Sequence, residues 1–203
     1  LSTTAWSNEA SATTLAPPPP VACSSTAIAW VDPTGATTVA LSDDSSSEVP
    51  LPFTFSSYGT TYSRVSIASN GYLKLGGGAA TAYSNVAIPN ASDPNAYIAP
   101  AWDDWNPGAG GTVSYRTTGT APNRRFVVEW RNVTFFSDTG RATFGVIISE
   151  SGSEIVLEYG SLSGTGSRGE GATVGIEKYD GRTGLQYSYA EPTLSSGWAI
   201  TFR

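Results

Sequence analysis

The chain has 203 residues, and its 11 lysines and arginines stand against 17 aspartates and glutamates, which gives a net charge of −6. An acidic chain of this kind lacks the excess of basic residues that nucleic acids and anionic membranes attract, so we expect neither as a partner. The chain has no histidine and one cysteine, which excludes Ser-His-Asp and Cys-His catalysis, the common zinc sites and an internal disulfide.

Two further features concern the location of the protein. No stretch of about 18 apolar residues occurs, so we expect no membrane span. The chain contains no methionine, and we interpret Leu1 as the first residue of a secreted protein from which a signal peptide has been removed. The expected location is therefore extracellular or at the cell surface.

The first 22 residues differ in composition from the rest, because they consist mainly of serine, threonine, alanine and proline. The large apolar side chains ahead of the prolines are Leu1, Trp6 and Leu15. The run of prolines is Pro17, Pro18, Pro19 and Pro20, which favour a stiff polyproline II conformation. Such a segment cannot bury enough apolar surface to order by itself. We therefore predict an extended arm, residues 1–22, followed by a single domain, residues 23–203.

The arm is long enough to reach another molecule. Twenty extended residues span about 65 Å, whereas a folded body of this size is ~40 Å across. The arm either packs on its own domain or adds a strand to an edge of another copy, and four prolines behind it favour the second arrangement. Because donor and acceptor surfaces differ, such an exchange is head to tail and builds a filament or a ring.

From Pro50 onward the sequence predicts strands separated by turns. In "RRFVVEWRNVTFF", alternation places Phe126, Val128, Trp130 and Asn132 on one face of a strand. Similar segments are "ATFGVIIS", "SEIVLEY", "ATVGIEKY", "GLQYSY" and "WAITFR", and no segment has a sustained helical period. We predict an all-β, two-layer sandwich, jelly-roll-like, of about ten to twelve strands. Its predicted core contains Phe53, Phe55, Val65, Ile67, Phe126, Val128, Trp130, Ile155, Leu157 and Ile200.

The most suggestive polar cluster is the loop made of Trp102, Asp103, Asp104, Trp105 and Asn106. In one interpretation the aspartates accept backbone N–H bonds and a tryptophan closes the end of the sandwich. In a second, the carboxylates and the amide bind calcium, the one cofactor that the sequence leaves open. In a third, a sugar stacks on a tryptophan. Two neighbouring carboxylates on a strand point to opposite faces, so we predict no acid–base pair here.

Other polar residues are assigned simpler roles. Glu154 and Glu158 would lie ~13 Å apart on one strand face, too far for a catalytic pair, and we expect that face to be solvated. The polar stretch 43–48 is expected to be a solvated loop. Asn90 and Asn132 fit the acceptor sequence for N-glycosylation, and Asn90, which follows a proline, is the better candidate.

Several segments resemble a β-sandwich module of bacterial secreted and surface proteins that is similar to the nidogen-like domain of animal extracellular matrix proteins. They are "VPLPFTFSSYGTTYSRVSIASNGYL", "YIAPAWDDWNPGAGGTVSYRTTG", "RRFVVEWRNVTFF" and "ATVGIEKYDGRTGLQYSY". The resemblance covers about residues 50–203. It implies a β-sandwich in an extracellular setting and carries no catalytic signature.

These observations predict a non-enzymatic extracellular structural subunit that forms a homopolymer through its arm. Two alternatives remain, namely a monomeric adhesion or matrix domain, and a carbohydrate- or protein-binding accessory module of a secreted hydrolase.

Overall fold

The computed structural model describes residues 22–24, 30, 34–137 and 139–203. These residues form thirteen β-strands and no helix. In chain order the strands are β1 (Ala22–Ser24), β2 (Thr37–Val39), β3 (Ser46–Ser57), β4 (Thr60–Ala68), β5 (Leu73–Leu75), β6 (Tyr97–Trp102), β7 (Thr112–Thr118), β8 (Arg125–Thr134), β9 (Arg141–Ser149), β10 (Ile155–Ser163), β11 (Thr173–Glu177), β12 (Gly184–Tyr189) and β13 (Trp198–Phe202).

The strands form two antiparallel sheets. One has seven strands in the order β1-β13-β10-β9-β8-β7-β2, and the other has six in the order β12-β11-β6-β5-β4-β3. Each sheet is built around a meander of four consecutive strands, β3 to β6 in one and β7 to β10 in the other. The later strands then extend the sheets at their sides. The predicted all-β, two-layer architecture is confirmed.

The core lies between the sheets, where the alternating apolar residues of both meet. All ten residues that the sequence predicted for the core are less than 9% exposed. Three indole rings are fully buried, those of Trp102, Trp105 and Trp130. The Nε1 atom of Trp130 donates to the carbonyl of Ala68, 2.9 Å away, which joins the seven-stranded sheet to the six-stranded one.

A long loop covers the outer face of the six-stranded sheet. The loop is residues 76–96, between β5 and β6. It contributes Ala80 and Ile88 to a second apolar cluster, in which they meet Tyr72, Tyr97 and Trp102 of the sheet side. The sheet is therefore buried on both faces where this loop crosses it.

The outer face of the seven-stranded sheet carries a contact from the N-terminal part of the domain. The strands β1 and β2 lie at opposite edges of this sheet, so the chain between them has to pass from one edge to the other. Trp30 belongs to that connection, and its Nε1 donates to Glu129 Oε2 on β8 at 3.0 Å. Glu129 alternates with the core residues Val128 and Trp130, which places the contact on the outer face.

One strand departs from the predicted alternation. The register between β8 and β9 shifts between Trp130 and Val133. Asn132 has a φ of 50° there and is exposed, while Val133 turns into the core. The prediction that Asn132 shares the inward face of Trp130 was wrong because this β-bulge adds a residue and reverses the alternation.

The turn between β4 and β5 is buried at one end of the sandwich. Asn70 is fully buried, and its Oδ1 accepts the backbone N–H of Trp105 at 3.1 Å while its Nδ2 donates to Asp44 at 2.8 Å. Gly71 has a φ of 73°. A Cβ at Gly71 would collide with the carbonyl oxygen of Ala101, so this position requires glycine for space as well as for conformation.

Two glycine variants test this requirement. Gly59 has a similar φ of 77° but no neighbour within 4 Å of an added Cβ. We expect Gly59→Ala to cost about 1–2 kcal/mol, the penalty for the left-handed conformation. Gly71→Ala adds a steric clash to the same penalty, and we expect it to cost more than about 3 kcal/mol. Chemical unfolding measures both costs, and equal costs would contradict the close approach at Gly71.

Candidate functional site

The two tryptophans of the loop 102–106 are buried. Trp102 is 0% exposed and donates from Nε1 to the carbonyl of Ala82 at 2.9 Å. Trp105 is 1% exposed and stacks on Phe135 with ring centroids 3.7 Å apart. Neither indole offers a ring face to a sugar, which corrects the interpretation of this loop as a stacking platform.

Two polar side chains of the loop serve its own backbone. Asp103 Oδ1 accepts the N–H of Asp104 at 2.9 Å, and burial raises the pKa of Asp103. Asn106 Oδ1 accepts the N–H of Ala109 at 3.1 Å. These bonds are those of capping residues that hold a turn.

Asp104 instead meets two aspartates from a distant loop. Carboxylate oxygens of Asp43, Asp44 and Asp104 lie within 4.8 Å of one another. Burial and the neighbouring carboxylates raise the pKa of Asp104, and burial together with Asp44 raises that of Asp43. Sequence reasoning missed Asp43 and Asp44, because nothing local in the stretch 43–48 indicates that Asn70 brings it to the loop 102–106.

This acidic cluster has two possible consequences for the protein. Oxygen ligands that converge in this way suit a hard cation such as calcium, which needs several of them. Without a cation, the three carboxylates repel one another and weaken the folded state. Of the ligands proposed from the sequence, Asp104 belongs to the cluster, while Asp103 and Asn106 make the turn contacts described above.

A buried carboxyl group lies on the outer face of the seven-stranded sheet. Glu158 on β10 and Glu129 on β8 are both paired with Gly145 on the strand between them. Glu158 is 2% exposed, so the expectation that its face is solvated was wrong. Burial and the negative charge of Glu129 raise the pKa of Glu158 to about 7, and Arg131 forms an ion pair with Glu129.

The proposed glycosylation residues lie in different surroundings. Asn90 is half-buried in the loop 76–96, and its N–H donates to Glu177 at 2.7 Å. Asn132 is exposed at the bulge of β8. The better accessible acceptor is therefore Asn132, since the sequence did not reveal that the strand bulges there.

The arm residues Leu1, Trp6, Leu15, Pro17, Pro18, Pro19 and Pro20 lie outside the described residues. The point where the arm joins the domain is described, because β1 pairs with β13 in a register that sets Ala22 opposite Thr201. Ala22, the last residue of the predicted arm, therefore lies at an edge of the seven-stranded sheet, beside β13.

The two edges of the six-stranded sheet differ in composition. Within the described ranges, β3 and β12 each pair with one strand only. The edge strand β3 contains Pro50 and Pro52 together with the charged Glu48, features that discourage further pairing. The strand β12, with the sequence GLQYSY, contains neither proline nor charge. Its backbone is thus the less protected of the two edges.

Comparison with known proteins gives one match. A family model described as NIDO related matches residues 22–201, so that the match starts at the first residue of β1. No curated protein and no solved structure matches the chain. In the described part of the chain, no helix of the length and apolar character needed to span a membrane is found.

The buried Glu158 predicts a pH dependence of stability. Its folded-state pKa is raised, so the stabilisation of the protonated form is complete below pH 4.5 and is lost as the pH rises towards about 7. Glu158→Gln should remove this loss, a difference on the order of 2–3 kcal/mol above pH 7. Unfolding by urea between pH 4 and 8 measures it.

The control variant is Glu154→Gln, which removes a carboxylate that pairs with Arg203 at the surface. It should keep the wild-type slope of stability against pH. Burial also raises the pKa of Glu177 to about 7. Glu177 is present in all three proteins, so it contributes equally to the pH dependence of their stability. Identical slopes for the wild type and Glu158→Gln would contradict the raised pKa of this buried carboxyl group.

The acidic cluster predicts opposite effects of one substitution in two buffers. In chelator, Asp104→Asn should raise the free energy of unfolding by about 0.5–1 kcal/mol because it removes repulsion. Calcium should raise the melting temperature of the wild type and of Asp103→Asn, the matched neighbour outside the cluster, but not that of Asp104→Asn. A wild type that does not respond to calcium would leave the carboxylates without a metal-binding role.

Proposed function

The chain belongs to the NIDO-related family, and from this premise we propose that it is a non-enzymatic extracellular structural subunit that assembles head to tail through its N-terminal arm. The family suggests an extracellular context. The arm, residues 1–22, is the donor of the contact, and an edge of another copy is the acceptor.

The observation that carries this proposal is the edge strand β12, which contains neither proline nor a charged residue. An edge strand presents a row of N–H and C=O groups to any extended segment that comes beside it. Natural sheets block such edges with proline, charge or a covering segment, as β3 does with Pro50 and Pro52. The sequence of β12 contains neither proline nor a charged residue.

The energetics of strand addition set a condition on the contact. A six-residue edge offers about six outward groups, and each bond contributes about 1 kcal/mol net. Ordering six residues costs about 6–12 kcal/mol. Backbone bonds alone do not offset this cost, so the arm also has to bury an apolar side chain.

The positions of donor and acceptor favour a head-to-tail assembly. The arm joins the domain at β1, an edge of the seven-stranded sheet, whereas β12 is an edge of the other sheet. Two different surfaces make a heterologous contact, which repeats from molecule to molecule as a filament or closes as a ring.

The alternatives give the opposite result in solution. A monomeric adhesion or matrix domain, or a binding module of a secreted hydrolase, would use the arm only as a linker. Both predict that removal of the arm leaves the molecular mass per particle unchanged except for the lost residues.

The first experiment removes the arm. We expect the full chain to form assemblies and a chain that begins at Ala22 to be a folded monomer at the same concentration. Light scattering after size exclusion measures the mass, and circular dichroism confirms the fold. Equal oligomeric states would overturn the proposal and leave the adhesion or binding module.

A substitution on the acceptor strand tests the edge itself. Tyr189 ends β12 and is 39% exposed, and Phe136 is an exposed aromatic residue that follows β8 of the other sheet. Tyr189→Lys should weaken association roughly tenfold, about 1.4 kcal/mol, because an added strand would strip water from the lysine. Phe136→Lys introduces the same side chain outside the six-stranded sheet and should leave association unchanged.

A further inference from the structure

An apolar slot opens between the two sheets at the end of the sandwich away from Asn70. It has a volume of about 230 Å³. Its walls come from the end of β3 and the turn after it, the start of β10, the strands β11 and β12, and the end of β13. They include Ser57, Tyr58, Ile155, Ile176, Leu185 and Phe202.

The size of the slot limits what it can hold. Pockets for small molecules have volumes of about 300–1,000 Å³, so this one is too small for most such ligands. One large apolar side chain is a better match. Trp6 is the one aromatic residue in the arm.

The slot lies beside the acceptor strand of the proposed assembly. Leu185, one of its walls, belongs to the acceptor strand β12. A segment that pairs with β12 would therefore pass the mouth of the slot. Backbone pairing along β12 does not by itself offset the cost of ordering the added segment. Burial of an apolar side chain in the slot would supply the missing stabilisation.

The charges around the slot match the arm as well. Arg203 lines both the slot and an adjoining polar hollow, which Arg125 also lines. Arg125 forms no ion pair within the described part of the chain. Glu9 is the one charged side chain in residues 1–22, three positions after Trp6 and ~10 Å from it in an extended segment.

We infer that the slot receives Trp6 of a second copy of this chain, while Glu9 of that copy pairs with Arg125. This inference rests on the proposed function. A second copy is favoured over the chain's own arm because the run Pro17 to Pro20, one residue before β1, favours a stiff polyproline II conformation of about 12 Å, which opposes folding the arm back.

The experiment uses full-length chains with a defective donor or a defective acceptor. Trp6→Ala removes the anchor, and Leu15→Ala is the matched truncation elsewhere in the arm. Ser57→Trp fills the slot, and Thr54→Trp places the same side chain at an exposed position of the same strand. We expect Trp6→Ala and Ser57→Trp to be monomers and both controls to assemble like the wild type.

Mixing the two defective chains identifies the occupant. Trp6→Ala has an intact slot and Ser57→Trp has an intact arm, so an equimolar mixture should double in mass to a dimer and stop there. A mixture that stays monomeric would overturn the inference, because an intact arm and an intact slot on different chains would then fail to bind each other. Equal melting temperatures of Ser57→Trp and Thr54→Trp verify that the filled slot does not unfold the chain.

A charge exchange tests the second contact. Glu9→Lys should weaken assembly at least tenfold, and Arg125→Glu in the same chain should restore it at low salt. No rescue would remove Arg125 from the contact.

The outcomes separate this inference from the proposed function. If removal of the arm abolishes assembly while Trp6→Ala and Ser57→Trp assemble normally, the slot is not the receptor and the proposed function stands. If removal of the arm changes nothing, both fail.

Discussion

The hydrogen bonds of the buried Asn70 side chain connect three parts of the chain that are far apart in sequence. Its amide nitrogen donates to Asp44, its amide oxygen accepts the N–H of Trp105, and its backbone carbonyl accepts the N–H of Asp103. A buried amide left without these partners would destabilise the fold, because several hydrogen bonds would be lost together. The loops at this end of the sandwich therefore have to close around the turn, and Gly71 lets them approach.

The acidic cluster is a consequence of the same closure. Asn70 draws Asp44 towards the loop that contains Asp104, and the three carboxylates of the cluster meet although no short motif joins them. Negative charge thus collects at the Asn70 end of the sandwich. At the other end the charges are largely balanced, because Arg203 pairs with Glu154 and Arg124 pairs with Glu150.

The sequence predicted those features that depend on neighbours along a strand. Alternation identified Phe126, Val128 and Trp130 as core residues because a strand places every second side chain on one face. It failed at Asn132, where a bulge changes the count, and at Glu158, which is buried on the outer face of the seven-stranded sheet. Those features, like the acidic cluster and the slot, depend on contacts between distant segments, which no local pattern encodes.

The covering of the outer faces determines which surfaces remain for partners. The loop 76–96 lies on one sheet, and the contact of Trp30 with Glu129 lies on the other. An added chain would have to displace these contacts to bind a face, whereas at an edge it would meet the backbone of a single strand in a fixed geometry. Both edge strands of the six-stranded sheet reach the apolar slot, β3 through Ser57 and β12 through Leu185, but only β12 is free of proline and charge. Binding energy for an extended segment is therefore concentrated where β12 and the slot adjoin, because backbone pairing and apolar burial are both available there.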